Sequence, residues 1–259
     1  MDEVNRLRAR FPGTALGYHE LGEFYLPERL GCYLDYGCGD FSFARRLVNR
    51  FERGFGVDVM KPIQNPPEHF SFQQISIKGT LPFPDEFFDS ASIIEVIEHV
   101  PEEKFVLSEL ARVLKTGGKL VITTPHRGIL TWIDSGNWKF WCPTFHRWMH
   151  IHYLRNQKDY QRKFGTDRPS GLYGDISGDH HKHYSLKDFI ELLPSSLEID
   201  GIRVSYPGMR FLWAVEIAGR LIPFVKNWKS AIELPRLRFS MSRIFGLSGD
   251  QLTLVLRKV

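Results

Sequence analysis

The chain has 259 residues, 42% hydrophobic and 25% charged, which suits one large domain or one domain carrying an insertion. A formal charge of only +4, with lysines and arginines scattered rather than grouped, excludes nucleic acid as the expected partner. No stretch reaches the roughly 20 apolar residues of a spanning helix, and the longest candidate, Phe211 to Val225, is interrupted by Glu216 and Arg220. Cys32, Cys38 and Cys142 form neither a C-x-x-C pair nor a zinc spacing, so free thiols in a reducing cytoplasm are expected. The opening segment, MDEVNRLRARFPG, lacks the apolar run of a secretory signal.

From about residue 32 the pattern alternates between strand and helix, as in an α/β sheet. Cys32–Tyr36 reads as a first strand, Phe41–Glu52 as a helix, Arg53–Val57 as a second strand and Phe70–Ile75 as a third. Phe88–Ile94 is a fourth strand, Glu102–Leu114 a helix and Lys119–Thr124 a fifth strand. Phe105, Val106, Leu110, Val113 and Leu114 mark the apolar face of that helix. Thr116-Gly117-Gly118 is expected to end it. The alternation then stops. Residues 126–184 are rich in aromatics and are read as a cap inserted after strand five, too long and apolar for a bare loop. Ser185–Leu193 resumes as a helix, with Ser185 and Asp188 spaced as a capping box. Leu197–Tyr206 and Gln251–Lys258 are closing strands, and residues 207–250 between them form a second, helical insertion.

Chemistry concentrates where the first strand meets its helix. Leu34-Asp35-Tyr36-Gly37-Cys38-Gly39-Asp40 runs a buried strand into glycines, which turn tightly and admit a ligand close to the backbone. Asp58 follows Gly39 by 19 residues, close to the roughly 20-residue spacing of a ribose-binding carboxylate. Ser42 stands where a dinucleotide fingerprint has its third glycine, and Asp40 would oppose a pyrophosphate at the helix start. An adenosyl ligand without phosphate meets no such opposition. Cys38 reads as a small residue in a tight turn rather than a nucleophile.

This glycine motif resembles that of the type 11 group of class I S-adenosylmethionine-dependent methyltransferases. So do three later motifs: Leu81-Pro82-Phe83-Pro84-Asp85-Glu86-Phe87-Phe88-Asp89, Ile94-Glu95-Val96-Ile97-Glu98-His99-Val100, and Arg112-Val113-Leu114-Lys115-Thr116-Gly117-Gly118-Lys119-Leu120. Asp179-His180-His181-Lys182-His183-Tyr184-Ser185-Leu186 is similar to that group's run before a late helix. The resemblance covers residues 32–125 and, more weakly, 179–193. It implies a single Rossmann-like α/β domain over residues 1–259, with a mostly parallel seven-stranded sheet in the order 3-2-1-4-5-7-6, flanked by helices. It implies S-adenosyl-L-methionine lying along the C-terminal ends of strands one to four. Carried over by position, Asp35, Gly37, Cys38 and Gly39 would line the methionine part, Asp58 would take the ribose hydroxyls and Val59 would flank the adenine. Ser76 and Ile77 would stand where the adenine amino group is read, and Glu95 would end strand four beside cofactor and acceptor. The chain departs from the pattern at Phe41, often a third glycine, and at Ser76 and Ile77, neither of which is acidic.

Methyl transfer is an in-line displacement that needs no metal, and a hydroxyl acceptor requires a proton to be removed. Histidine suits that step. Of His99, His126, His180, His181 and His183, His126 (just past strand five) and His180 (the family's position) rank first, with Glu95 as a further catalytic residue. Asp175, Asp179 and the 180–183 histidines have no structural-zinc spacing, so no metal is expected. The aromatic cap favours a small-molecule acceptor, glycan or lipid-linked, and the Phe211–Val225 stripe leaves a homodimer or a membrane-surface contact open. The alternatives are a NAD(P)-dependent oxidoreductase and a non-catalytic S-adenosylmethionine-binding partner protein.

Overall fold

Strands buried on both faces carry near-continuous apolar runs, and three segments meet that condition. They are β1 (Gly31–Tyr36), β4 (Phe88–Ile94) and the second half of β5 (Leu114–Pro125). In the computed structural model these form the centre of a sheet completed by β2 (Phe51–Asp58), β3 (Phe70–Gln74), β6 (Leu197–Ser205) and β7 (Gln251–Lys258). The model describes residues 3–11, 17–76, 79–127, 143–148, 151–152, 182–205 and 251–259. The sheet has seven strands in the order β3-β2-β1-β4-β5-β7-β6. Only β7 runs antiparallel to its neighbours. This is the architecture and order that the resemblance implied.

Helices cover both faces, because alternate side chains of each strand point opposite ways. Leu34 and Tyr36 of β1 pack with Ile93, Ile122 and Leu254 under α4 (Glu103–Val113) and α6 (Leu186–Leu192), through Leu107, Leu110 and Phe189. Tyr33 faces the other way, into a cluster with Phe41, Phe43, Ala44, Leu47, Phe51 and Phe70 around α3 (Ser42–Arg46). The N-terminal α1 (Glu3–Arg10) and α2 (Tyr18–Tyr25) meet through Leu7, Phe11 and Leu21. α5 (Pro143–Trp148) lies within the expected cap. Apart from residues 126–127, 143–148, 151–152 and 182–184, that cap lies outside the described residues, as does all of 207–250. Among the described residues, no helix is long and apolar enough to cross a membrane.

Two boundaries depart from the sequence reading. The helix expected over Phe41–Glu52 spans only Ser42–Arg46. Arg50 leaves helical geometry to donate to the carbonyls of Glu23, Leu26 and Pro27, while Leu30 N–H bonds its carbonyl. Phe51 then enters β2, its ring stacked on Tyr33 at 5.8 Å. At the second boundary, α4 ends at Val113 because Leu114 turns extended (φ −74°, ψ 142°) and pairs with Phe88. Gly117, in the left-handed region at φ +81°, therefore turns the chain inside β5 rather than capping a helix.

The expected capping box forms: Ser185 Oγ accepts from Asp188 N–H, and the Asp188 carboxylate accepts from Ser185 N–H at 2.8 Å. Two family-like motifs prove to be fastened to each other. Arg112 on α4 donates to Asp85 at 2.7 Å, to the carbonyls of Leu81 and Phe83 and to Glu109, which in turn accepts from Leu81 N–H. Lys115 pairs with Asp89 at 2.6 Å, and Asp89 also accepts from Cys32 N–H. These bonds brace the N-terminal edge of the sheet, opposite the site described next.

Candidate functional site

In an open α/β sheet, ligands bind outside the carboxyl ends of the strands, where the strand order reverses. Here that point lies between β1 and β4, which are adjacent in the sheet and far apart in sequence. The turn leaving β1 hugs the next strand: Gly37 N–H and Cys38 N–H both bond Val57 carbonyl, at 2.8 and 3.1 Å. Gly37 is left-handed (φ +75°), and a Cβ there would stand 2.7 Å from Val96 Cγ1, so only glycine fits. Gly39 is also left-handed, but among the described residues nothing lies within 4 Å of where its Cβ would stand.

Asp58 ends β2 and locks this loop. Its Oδ2 accepts from Gly39 N–H at 2.9 Å and its Oδ1 from Met60 N–H at 2.9 Å. The two positions flagged by their spacing thus meet directly, and a carboxylate retains further lone pairs for a ligand. Phe41, the departure from the family pattern, takes the left-handed conformation itself (φ 65°, ψ 15°). That geometry costs about 1–2 kcal/mol in a non-glycine residue. Burial of the ring to 1% exposure, edge-on to Phe70 and Phe72, offsets it. The ring therefore lies in the core.

Asp40 turns its carboxylate to the start of α3, where Oδ1 accepts from Ser42 N–H at 3.0 Å. A helix start filled in this way, on a helix of five residues, offers a phosphate little. Cys38 is buried, burial pushes its thiol up, and it lies where a Cβ on Gly56 would stand 2.7 Å from its sulfur. Its burial and raised thiol pKa give no sign of an activated nucleophile.

Asp35 lies beneath the loop at 2% exposure. Its Oδ1 accepts from Ser92 Oγ at 2.8 Å, and Ser92 is itself 2.6 Å from the Tyr33 hydroxyl. Its Oδ2 has no hydrogen-bond partner among the described residues. Burial pushes this carboxyl up to about 7, with the charge of Asp58 adding and the Ser92 bond opposing.

A second polar layer closes the carboxyl ends of β4, β5 and β7. Glu95 takes a left-handed backbone (φ 54°), and its carboxylate accepts from Thr123 Oγ1 at 2.9 Å and from Gln251 Nε2. Glu98 is buried at 1%, accepts from Thr124 Oγ1 at 3.1 Å, and is pushed well up by burial and by the nearby Glu95. His126 is buried at 6% and immediately follows β5, where the flanking backbone pairs with Tyr184. Tyr184 and Lys182 both bond Glu103, at 2.9 and 2.8 Å.

The structure thus brings Asp35, Gly37, Cys38, Gly39, Asp58 and Val59 to one edge and places Glu95 and His126 at the neighbouring strand ends. Ser76 is exposed just past β3, whereas Ile77 and His180 lie outside the described residues. Sequence reasoning missed Gln74, which pairs with Asp58 across β2 and β3 and donates to Val59 carbonyl at 2.9 Å. It also missed Glu98, Thr123, Thr124 and Gln251. The signal was available: polar residues at the carboxyl ends of apolar strands. Among the described residues, no group of three or more His, Cys, Asp or Glu is placed to hold a metal ion.

Residues 34–122 match a family model described as a methyltransferase domain. A ubiquinone biosynthesis O-methyltransferase of Idiomarina loihiensis is 27% identical over 108 residues, covering 39% of this chain and 44% of that protein. A probable tocopherol O-methyltransferase of Oryza sativa is 31% identical over 103 residues, covering 35% and 28%. The chain therefore spans less than half the length of these curated relatives. A solved S-adenosylmethionine-dependent methyltransferase of Mesorhizobium loti superposes with a TM-score of 0.54 at 15% identity, covering 93% of this chain and 98% of that one. That likeness shows the fold.

Proposed function

From the match of residues 34–122 to the methyltransferase-domain family model, we propose that the protein transfers a methyl group from S-adenosyl-L-methionine to a small acceptor, at an oxygen atom. One observation carries the cofactor reading: Asp58 holds the Gly39 amide at the carboxyl end of the switch point, with no described residue within 4 Å of where a Gly39 Cβ would stand. The residues fit a cationic adenosyl group without phosphate. Asp58 would offer lone pairs to the ribose hydroxyls, and Val59, whose carbonyl accepts from the Gln74 amide, would flank the adenine. Asp35 Oδ2, without a hydrogen-bond partner among the described residues, would supply an acceptor under the methionine side. Against a dinucleotide stands Asp40, which already fills the α3 start.

When bound, the cofactor supplies an electrophilic methyl group and its own leaving group. The chain aligns the acceptor and removes its proton. Glu95, pinned by Thr123 and Gln251, keeps a fixed carboxylate at the β4 end. Glu98, whose burial and nearness to Glu95 raise its pKa, lies beside it. We assign proton removal to His126, with His180 as the second candidate. Oxygen as the acceptor atom draws support from the two relatives, both named as O-methyltransferases. A glycan or lipid-linked acceptor draws support from the aromatic content of residues 126–184.

Calorimetry tests the cofactor first. The wild type should bind S-adenosylhomocysteine and not NAD, and Asp58→Ala should weaken that binding at least about tenfold, the equivalent of one lost polar contact. Binding of NAD instead, or an Asp58→Ala variant that binds normally, would remove the assignment. Incubation with methyl-labelled donor and a cell extract, followed by mass spectrometry of the labelled product, then identifies the acceptor. In that assay His126→Gln should lose methyl transfer while keeping S-adenosylhomocysteine affinity, and unchanged turnover would exclude this base.

A further inference from the structure

The helix α2 lies outside the matched segment 34–122, yet it packs on the switch point itself. A Cβ on Gly22 would stand 2.8 Å from Ile94 Cδ1, at the end of β4, and 3.1 Å from Phe43 Cζ in α3. The helix is clamped there. Arg46 of α3 bonds Glu20 and Glu23, each at 3.0 Å, and Arg50 holds three carbonyls from Glu23 to Pro27. His19 lies one helical turn before Gly22 and so shares its face. Its ring is half-buried, 5.4 Å from the Phe43 ring and 4.6 Å from Tyr18. It also feels the charge of Asp40 in the glycine loop. Among the described residues, its ring nitrogens have no hydrogen-bond partner, in a neighbourhood where Glu20, Glu23, Arg46 and Arg50 are all engaged.

We propose that α2 is the outer wall of the cofactor crevice and that His19 donates a hydrogen bond to the carboxylate at the amino-acid end of the S-adenosyl cofactor. The inference builds on the cofactor reading above, which places that end along residues 35–39. Burial and the Arg46 charge lower the pKa of the imidazole, so near neutral pH it is an uncharged donor. An uncharged donor can serve a carboxylate without repelling the neighbouring ammonium. Phe43 and Tyr18 hold the ring plane, and the Arg46 clamp holds its distance from the loop.

The test compares two ligands that share adenosine and the thioether sulfur. S-adenosylhomocysteine carries the amino-acid end, and 5′-methylthioadenosine does not. Calorimetry on the full chain should show His19→Ala binding S-adenosylhomocysteine about tenfold more weakly, with 5′-methylthioadenosine within about twofold of wild type. His19→Gln, which retains a donor, should recover part of the loss and controls for folding. Equal losses for both ligands, or no loss for either, would overturn the role of His19 while leaving the cofactor reading intact. A wild type that binds neither ligand would overturn both.

Discussion

Asp35 sets stability against the binding role proposed for it. A buried carboxyl that holds its proton up to about pH 7 binds more protons in the folded than in the unfolded chain between its ordinary value of 3.8 and 7. Its contribution to stability therefore falls as pH rises through that window and stays low above it. Asp35→Asn removes the penalty. The variant should match wild type in unfolding free energy near pH 4 and exceed it at pH 8, by on the order of 2–4 kcal/mol. The same variant should bind S-adenosylhomocysteine more weakly at pH 8, having lost its charge. A variant that is less stable than wild type at pH 8 would show that the carboxylate has a cationic partner in the folded protein. Gly37 is constrained differently: Gly37→Ala drives a methyl into Val96 at φ +75°. It should destabilise by about 1–3 kcal/mol and displace the loop, which thermal melting and cofactor titration would register together.

Among the elements, the α4–β5 junction and the Leu81–Asp89 segment behave as one unit. Arg112 satisfies Glu109, Asp85 and two carbonyls from outside the sheet edge. Arg112→Ala leaves the carbonyls of Leu81 and Phe83 unmet and should lower stability by about 2–3 kcal/mol. Its S-adenosylhomocysteine affinity should match wild type in chemical-denaturation and calorimetric assays, because these bonds lie at the far edge from Asp58. Lost affinity in the folded variant would contradict that separation. Motif similarity alone could not tell these bracing residues from binding ones, since both kinds recur in fixed order. Strands were legible because burial on both faces leaves continuous apolar runs, as in Phe88–Ile94. Helix limits were less so. Arg50 ends helical geometry by bonding carbonyls from Glu23 to Pro27, a contact between segments that no local pattern encodes. The α6 cap was local, with donor and acceptor three residues apart, and was therefore readable.

For the molecule as a whole, the reversal of strand order between β1 and β4 decides where chemistry can occur, and α2 and α3 wall that opening on one side. Glycine pattern and acid spacing made half of the candidate site legible as a contact, because Gly39 and Asp58 touch across adjacent strands. The other half, Glu98, Thr123, Thr124 and Gln251, was hidden, because β7 returns antiparallel beside β5 from a distant part of the chain. Only the closed sheet brings Gln251 to Glu95. The most direct measurement is a crystal structure of the full chain with S-adenosylhomocysteine. The ribose hydroxyls should lie within hydrogen-bond distance of the Asp58 carboxylate, with the thioether chain passing Gly37 and Gly39 toward His19. A compound seated elsewhere at saturating concentration, or ribose density with no contact to Asp58, would contradict the account.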